Sequence, residues 1–383
     1  MARGNVGRCM IGAWMMTALL VGPAAWAQSV NVFQIEYLHT ISDVPAADAM
    51  ASEPDAVARL AAMTEAMRQR NYVGTYVHVR GDQIDTTRIE HLLTEHGPQE
   101  RLVTLNGEPR EIVRHGAHCE CQWPSRKEVV FGDFPGVRSR LSGERFAQPE
   151  QLTPNYRIVG LGVSRVADRA CHVVGLIPRD ALRYGYKLCI GDADHLLLRM
   201  SIYNEDGLPI EHDFFTQMAE PVTIPAASGG ASGADPIPLG SPKTIPPGFK
   251  VVEDRHVEPP KPLAADEGWT VSPDLPGYHV KSRVWRENPV THHRFEHMIV
   301  TDGLSTASVF VEDIPEKQRL DPDAAKYGMN IYVRQSGSMR ITVIGDLPMA
   351  AIKQICQYTV PAKMAAGREA EGNPLHAPGS EVR

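Results

Sequence analysis

His195-Leu196-Leu197-Leu198-Arg199-Met200-Ser201-Ile202, then Asn204-Glu205-Asp206-Gly207, then Ile210 to Met218, reads as two strands joined by a turn. Leu196, Leu198, Met200 and Ile202 fall on one face of the first strand, and His195, Arg199 and Ser201 on the other. That period of two belongs to a strand with one apolar side. The returning strand is expected to set Ile210, Phe214 and Met218 on one face and Glu211, Asp213 and Gln217 on the opposite one. Working upstream, Tyr72 to Arg80, Thr86 to Leu92 and Arg101 to Leu105 alternate in the same way. Gly81-Asp82, His96-Gly97-Pro98 and Asn106-Gly107 supply turn signals between them. Before the first of these, Ser52 is placed to cap a helix reaching about Arg70, with Val57, Leu60, Met63 and Met67 along one side. A helix followed by a large antiparallel sheet with one apolar face needs a cover. Few long helices are in prospect, so the sheet is expected to curl around an apolar interior.

Downstream the composition breaks. Ten of the 30 prolines fall between Pro221 and Pro262, among small residues such as Ala226-Ala227-Ser228-Gly229-Gly230, which marks a linker. Its far end, Ile245 to Val251, could still dock as an extended strand. Beyond it Met298 to Thr301, Ala307 to Glu312, Met329 to Arg334 and Met339 to Ile344 alternate again, and a helix around Ile352, Ile355 and Cys356 closes the second half. The organisation read from this pattern is an α+β chain with a first domain over 51–219, a linker over 220–265, a second domain over 266–361 and a disordered tail over 362–383.

Residues 1–27 have the form of an export signal: Arg3 and Arg8, an apolar run from Met10 to Gly22, and Ala25-Trp26-Ala27 as a cleavage site near Ala27. The run is too short for the ~20 residues of a membrane span, so a soluble exported protein is expected. Loss of the two arginines takes the formal net charge from −7 to −9, which argues against a nucleic-acid partner. Cys9 leaves with the signal, and five cysteines remain. Cys356 reads as a buried, inert thiol, while Cys119, Cys121, Cys171 and Cys189 are disulfide candidates with three pairings open to them.

His115-Gly116-Ala117-His118-Cys119-Glu120-Cys121 offers ligand types for a soft metal, but no second knuckle follows at matching spacing, and no metal site is expected there. His292-His293 with His297 reads as solvated histidines. No nucleophile elbow, zinc-protease helix or phosphate loop is found, so no catalytic residue and no cofactor is expected. Arg179-Asp180-x-x-Arg183-Tyr184-Gly185-Tyr186 is a basic-aromatic cluster, and Arg179, Arg183 and Tyr184 are candidates for phosphate or carboxylate recognition or for a protein partner.

Several blocks, taken in order, resemble the RseB/MucB family of periplasmic regulators of the envelope-stress sigma factor. In the first half these are Asn71-Tyr72-x-Gly74-Thr75-Tyr76-Val77, Glu100-Arg101-Leu102-x-x-Leu105-x-Gly107-x-x-Arg110-Glu111, Cys121-x-x-Pro124 and Pro178-Arg179-Asp180-x-x-Arg183-Tyr184-Gly185-Tyr186. In the second half, Thr301-Asp302-Gly303-Leu304-Ser305-x-x-Ser308-Val309-Phe310-Val311 is the most specific, joined by Gly328-x-Asn330-x-Tyr332. The stretch Cys189 to His195 departs from the family pattern. The resemblance implies a lipoprotein-carrier-like open antiparallel half-barrel with a helical lid, followed by a smaller mixed antiparallel domain. It also implies a periplasmic protein that is not an enzyme. Its implied partner is the periplasmic part of a membrane-spanning anti-sigma factor, shielded from site-1 proteolysis until lipopolysaccharide or mislocalised lipoprotein binds. Tyr72, Tyr76, Leu196, Leu198, Met200 and Phe214 are then candidates to line the lipid cavity, and Phe249, Val309 and Val311 to meet the partner. A lipid or lipoprotein carrier is the alternative, and self-association is left open.

Overall fold

The structure, a computed structural model, describes residues 52–95, 97–116, 118–133, 141, 143–219, 247–253, 262–273, 275–288, 292–313, 323–326 and 329–365. The expected export signal and most of the expected linker and tail lie outside the described residues. Helix α1 (Pro54–Gln69) leads into β1 (Tyr72–Arg80), β2 (Gln83–Thr94), β3 (Gly97–Thr104), β4 (Glu111–His115), β5 (His118–Trp123) and β6 (Glu128–Asp133). The short helix α2 (Pro149–Leu152) precedes β7 (Tyr156–Val166), β8 (Arg169–Pro178), β9 (Gly185–Gly191), β10 (Leu197–Tyr203) and β11 (Pro209–Ala219). With β12 (Lys250–Glu253) these strands form one open sheet in the order β12-β6-β5-β4-β3-β2-β1-β11-β10-β9-β8-β7. Every pairing is antiparallel except β12 on β6, which is parallel and holds the far end of the proline-rich segment on the sheet.

The helix is not capped as its sequence suggests. Glu53 occupies the cap position, while the Ser52 hydroxyl accepts from the Ile158 amide at 3.0 Å and the Glu53 carboxylate from the Gly160 amide at 2.8 Å. These bonds fasten the start of α1 to β7, so the first turn is fixed by tertiary contacts rather than by its own side chains.

The second domain contains β13 (Trp269–Val271), β14 (His279–Glu287), β15 (Arg294–Thr301), β16 (Thr306–Asp313), β17 (Asp323–Lys326), β18 (Met329–Ser336), β19 (Met339–Gly345), α3 (Met349–Tyr358) and β20 (Thr359–Pro361). Its main sheet runs β14-β15-β16-β19-β18-β17, and β13 pairs with β20. Ile352, Ile355 and Cys356 of α3 share a buried cluster with Met298, Val300, Val309, Val311, Ile341 and Val343. Val309 and Val311 are therefore core residues, 0% and 1% exposed, and not the partner surface expected of them. Alternation places both toward α3 while Ser308 and Phe310 face outward.

Glu296 is buried in that domain, where its carboxylate accepts the Trp269 amide at 2.9 Å and lies 3.7 Å from the Arg283 guanidinium. Burial pushes its acid up to about 7, against the opposing pull of the Trp269 amide and Arg283. The folded domain thus holds a proton that the unfolded chain releases near pH 4.5. This stabilisation is complete below about pH 4.5 and is lost as pH rises through 7. Urea titrations between pH 5 and pH 8 should show the second domain losing stability, and Glu296→Gln should flatten that slope; an unchanged slope in the variant would refute the assignment.

Candidate functional site

The face of the large sheet that looks toward α1 is the first candidate. Leu198, Met200 and Ile202 of β10 lie on it beside Leu188 and Tyr186 of β9, their register partners being Met200↔Leu188 and Ile202↔Tyr186. Tyr72 and Tyr76 continue the same face, and Leu196 adjoins it in the buried cluster. Leu60, Met63 and Met67 of α1 are at most 2% exposed within that cluster. The Leu197 amide reaches the Met67 sulfur at 3.2 Å, and Phe146 meets Tyr186 edge-on at 6.1 Å. The apolar face is thus covered by the protein's own helix.

Phe214 is not on this face. In the register with β1 and β10 it stands opposite Val77 and Arg199, on the far side of the sheet. Its neighbour Phe215 takes the inward position, edge-on to Tyr72 at 6.5 Å and to Tyr76 at 5.9 Å. Two things mislead the sequence reading. Glu211 and Asp213 point inward because Arg80 and His78 are there to receive them, at 2.6 and 3.0 Å. A bulge at Thr216 then shifts the register, so that Met218 returns to the inward side opposite Gly74.

The basic-aromatic cluster lies at the other candidate, the seam between the domains. Arg183 is 1% exposed, so it is not a surface group for lipid phosphate. Its Nε donates to Asp302 Oδ2 at 3.0 Å, its remaining nitrogens reach Asp180 and the Pro276 carbonyl, and the guanidinium stacks 4.6 Å from the Tyr278 ring. Asp302 also accepts the Tyr156 hydroxyl at 3.0 Å, and its other oxygen takes the Leu304 and Ser305 amides at 3.0 and 2.7 Å. Tyr186 bonds Ser305 at 2.9 Å, Tyr278 donates to the Leu182 carbonyl at 2.8 Å, and Tyr184 donates to the Leu347 carbonyl at 3.2 Å. Tyr184 is buried as well, and burial pushes its phenol up to about 12, so it acts as a neutral donor. The Pro178 to Tyr186 block and the Thr301 to Ser305 block therefore clasp one another across the seam.

Residues 55–228 match the family model of the MucB/RseB N-terminal domain, and residues 263–359 match that of the MucB/RseB C-terminal domain. The chain belongs to the MucB/RseB family. The sigma factor AlgU regulatory protein MucB of Pseudomonas aeruginosa is 28% identical over 83% of this chain and 93% of its own length. The sigma-E factor regulatory protein RseB of Escherichia coli K12 is 24% identical over 79% of this chain and 90% of its own. Among solved structures, MucB in complex with MucA(peri) superposes with a TM-score of 0.59 at 25% identity, covering 80% of this chain and 98% of that one. A second MucA/MucB complex, from Pseudomonas aeruginosa, gives 0.59 at 26% identity and covers 80% and 99%. The family consists of regulatory binding proteins rather than enzymes.

The other candidate residues of this MucB/RseB chain fall in separate places. Arg179 is exposed beside an open cleft of about 630 Å³ at the start of α1, lined by Pro54, Val57, Glu150 and Thr153, and it donates to the Thr153 carbonyl at 3.0 Å. Phe249 is half-buried just before β12. Cys171 and Cys189 form a disulfide between β8 and β9, while Cys119, Cys121 and Cys356 remain buried thiols. No helix among the described residues is long and apolar enough to cross a membrane.

Nothing local in the sequence marks Tyr156, Tyr278 and Asp302 as seam residues, because each looks like an ordinary strand or turn residue until its partner from the other domain is known. The clasp has a measurable weight. Asp302→Ala should take from Arg183 its fully buried carboxylate, leaving the partly exposed Asp180 as its ion-pair partner, and cost about 3 kcal/mol in urea unfolding. Arg183→Met added to it should restore more than half of that loss, and a single-variant cost below about 1 kcal/mol would show that the pair does not hold the seam.

Proposed function

We propose that this chain binds the periplasmic part of an anti-sigma factor and withholds it from site-1 proteolysis. Release follows when lipopolysaccharide, or the acyl chains of a mislocalised lipoprotein, bind the first domain. The observation that carries this reading is the superposition of both domains on MucB in its complex with MucA(peri), over nearly the whole length of that chain. The export signal read from residues 1–27 agrees with a periplasmic site of action.

The geometry supplies a way for lipid to act. An acyl chain gains roughly 0.8 kcal/mol per buried methylene, but it can reach Leu198 and Met200 only by displacing Leu60, Met63 and Met67 of α1. Tyr156 and Tyr186 belong to the same apolar cluster, and their hydroxyls hold Asp302 and Ser305 of the second domain. Lipid under α1 would therefore disturb the groups that set the domain arrangement. By linkage, this releases a partner only if lipid binds the partner-free form more tightly than the bound one. Arg179, exposed beside the start of α1, would be the cation that meets a lipid phosphate there.

Saturating amounts of the purified chain should slow cleavage of the anti-sigma periplasmic domain by its site-1 protease, and unchanged cleavage under those conditions would reject the proposal. Leu198→Gln, which sets an amide on the apolar face, should weaken binding of purified lipopolysaccharide in a fluorescence displacement titration by tenfold or more. Equal affinity in that variant would place the lipid site elsewhere.

A further inference from the structure

One row of the large sheet changes character along its length. Val174, Leu188, Met200, Asp213, His78 and Asp85 stand side by side on six successive strands, with the apolar members toward β8 and the polar ones toward β2. Glu211 lies two residues from Asp213 on the same face of β11. His78, Glu211 and Asp213 are 2%, 3% and 0% exposed. His78 Nδ1 is 3.0 Å from Asp213 Oδ1 and 3.8 Å from Glu211 Oε1, and the three ligand atoms all lie within 4.8 Å of one another.

The charges here do not balance. Glu211 and Asp213 sit in the site with Asp346 at its rim, and Arg80 bridges two of these three carboxylates, at 2.6 Å from Glu211 and 2.9 Å from Asp346. Asp213 Oδ2 is buried without a hydrogen-bond partner. A carboxylate at full burial with an empty lone pair is costly, and its cost is relieved by a cation at that oxygen. One imidazole nitrogen and two carboxylate oxygens form a donor set for a borderline divalent ion such as zinc, whose bonds of about 2.0–2.2 Å would be met by small side-chain shifts that open the shortest of the present spacings and close the longer ones.

We propose that His78, Glu211 and Asp213 form a divalent transition-metal site, filled by zinc, inside the first domain. Arg80 and Asp346, with side chains 18% and 38% exposed, mark the solvent side through which the ion enters. Because Arg80 is shared between Glu211 of the first domain and Asp346 of the second, an ion that draws Glu211 toward itself also changes the charge on the seam. His78 lies 135 positions from Asp213, and a Glu-x-Asp pair alone is no metal motif, so nothing in the sequence marks the site.

The test uses the full-length chain without a purification tag, stripped by chelator, equilibrated with zinc sulfate and passed through gel filtration before metal analysis by mass spectrometry. About one zinc per chain should be retained, and zinc should raise the midpoint of thermal unfolding. Asp213→Asn and His78→Gln should abolish both effects while keeping the far-ultraviolet circular dichroism of the parent. Cys119→Ser with Cys121→Ser should keep both effects. Three results would each overturn the site: no retained zinc, equal retention in Asp213→Asn, or loss of zinc only in the cysteine variant.

Discussion

The seam between the two domains is built around one buried guanidinium. Arg183 comes from the loop before β9 and is 1% exposed, a burial that strands its charge unless all of its donors are met. They are met by Asp302 and Pro276 of the second domain, by Asp180 of its own loop and by the face of Tyr278. The acceptor is equally saturated, since Asp302 takes two side-chain donors on one oxygen and two backbone amides on the other. Ion pairs of this kind add little net stability compared with an apolar replacement, but they tolerate only one geometry. The clasp therefore sets orientation: a small rotation at the seam would leave a charge unpaired in a dry place, whereas a purely greasy seam could slide.

The same clasp ties the seam to the interior of the first domain. Tyr156 and Tyr186 present rings to the cluster under α1 and hydroxyls to Asp302 and Ser305. Two side chains thus touch both the face that α1 covers and the turn that the second domain contributes. Burial raises both phenols well above their ordinary range, so they stay neutral and serve as fixed donors rather than as titrating groups. Coupling between an interior ligand and the domain arrangement needs a contiguous set of contacts with two arrangements. Here the contiguous set is short, and part of its cover is a 16-residue helix held to β7 by Ser52 and Glu53.

How much of this was legible in the sequence follows from which interactions are local. The strand Leu197–Tyr203 and the hairpin with Pro209–Ala219 could be read because alternation and turn chemistry sit within a few residues. The face of the returning strand could not. Apolar side chains mark the core only where no buried charge competes, and His78 and Arg80, more than 130 residues away, bring Glu211 and Asp213 inward. The helix cap failed for a like reason, since Ser52 found a partner on β7. Val309 and Val311 were misjudged as a surface although their alternation was read correctly, because periodicity separates two faces without saying which one α3 covers. Of the two family blocks read as separate features, neither announced that it was half of a clasp.

Two of the buried charge clusters differ in a physical way. At the seam, each carboxylate oxygen of Asp302 has donors and Arg183 has acceptors, so the protein alone completes the electrostatics. Around His78, Arg80 is shared between Glu211 and Asp346, and an oxygen of Asp213 has no donor among the described residues. Folding energy tolerates a buried charge when its partners are supplied, and a cluster left one cation short needs its partner from outside. Both clusters also touch the second domain, the first through Asp302 and the other through the bond from Arg80 to Asp346. A chain that needs to hold its domains in one arrangement and yet let a bound ligand alter that arrangement can use such a pair: one contact complete and rigid, the other adjustable by what occupies it.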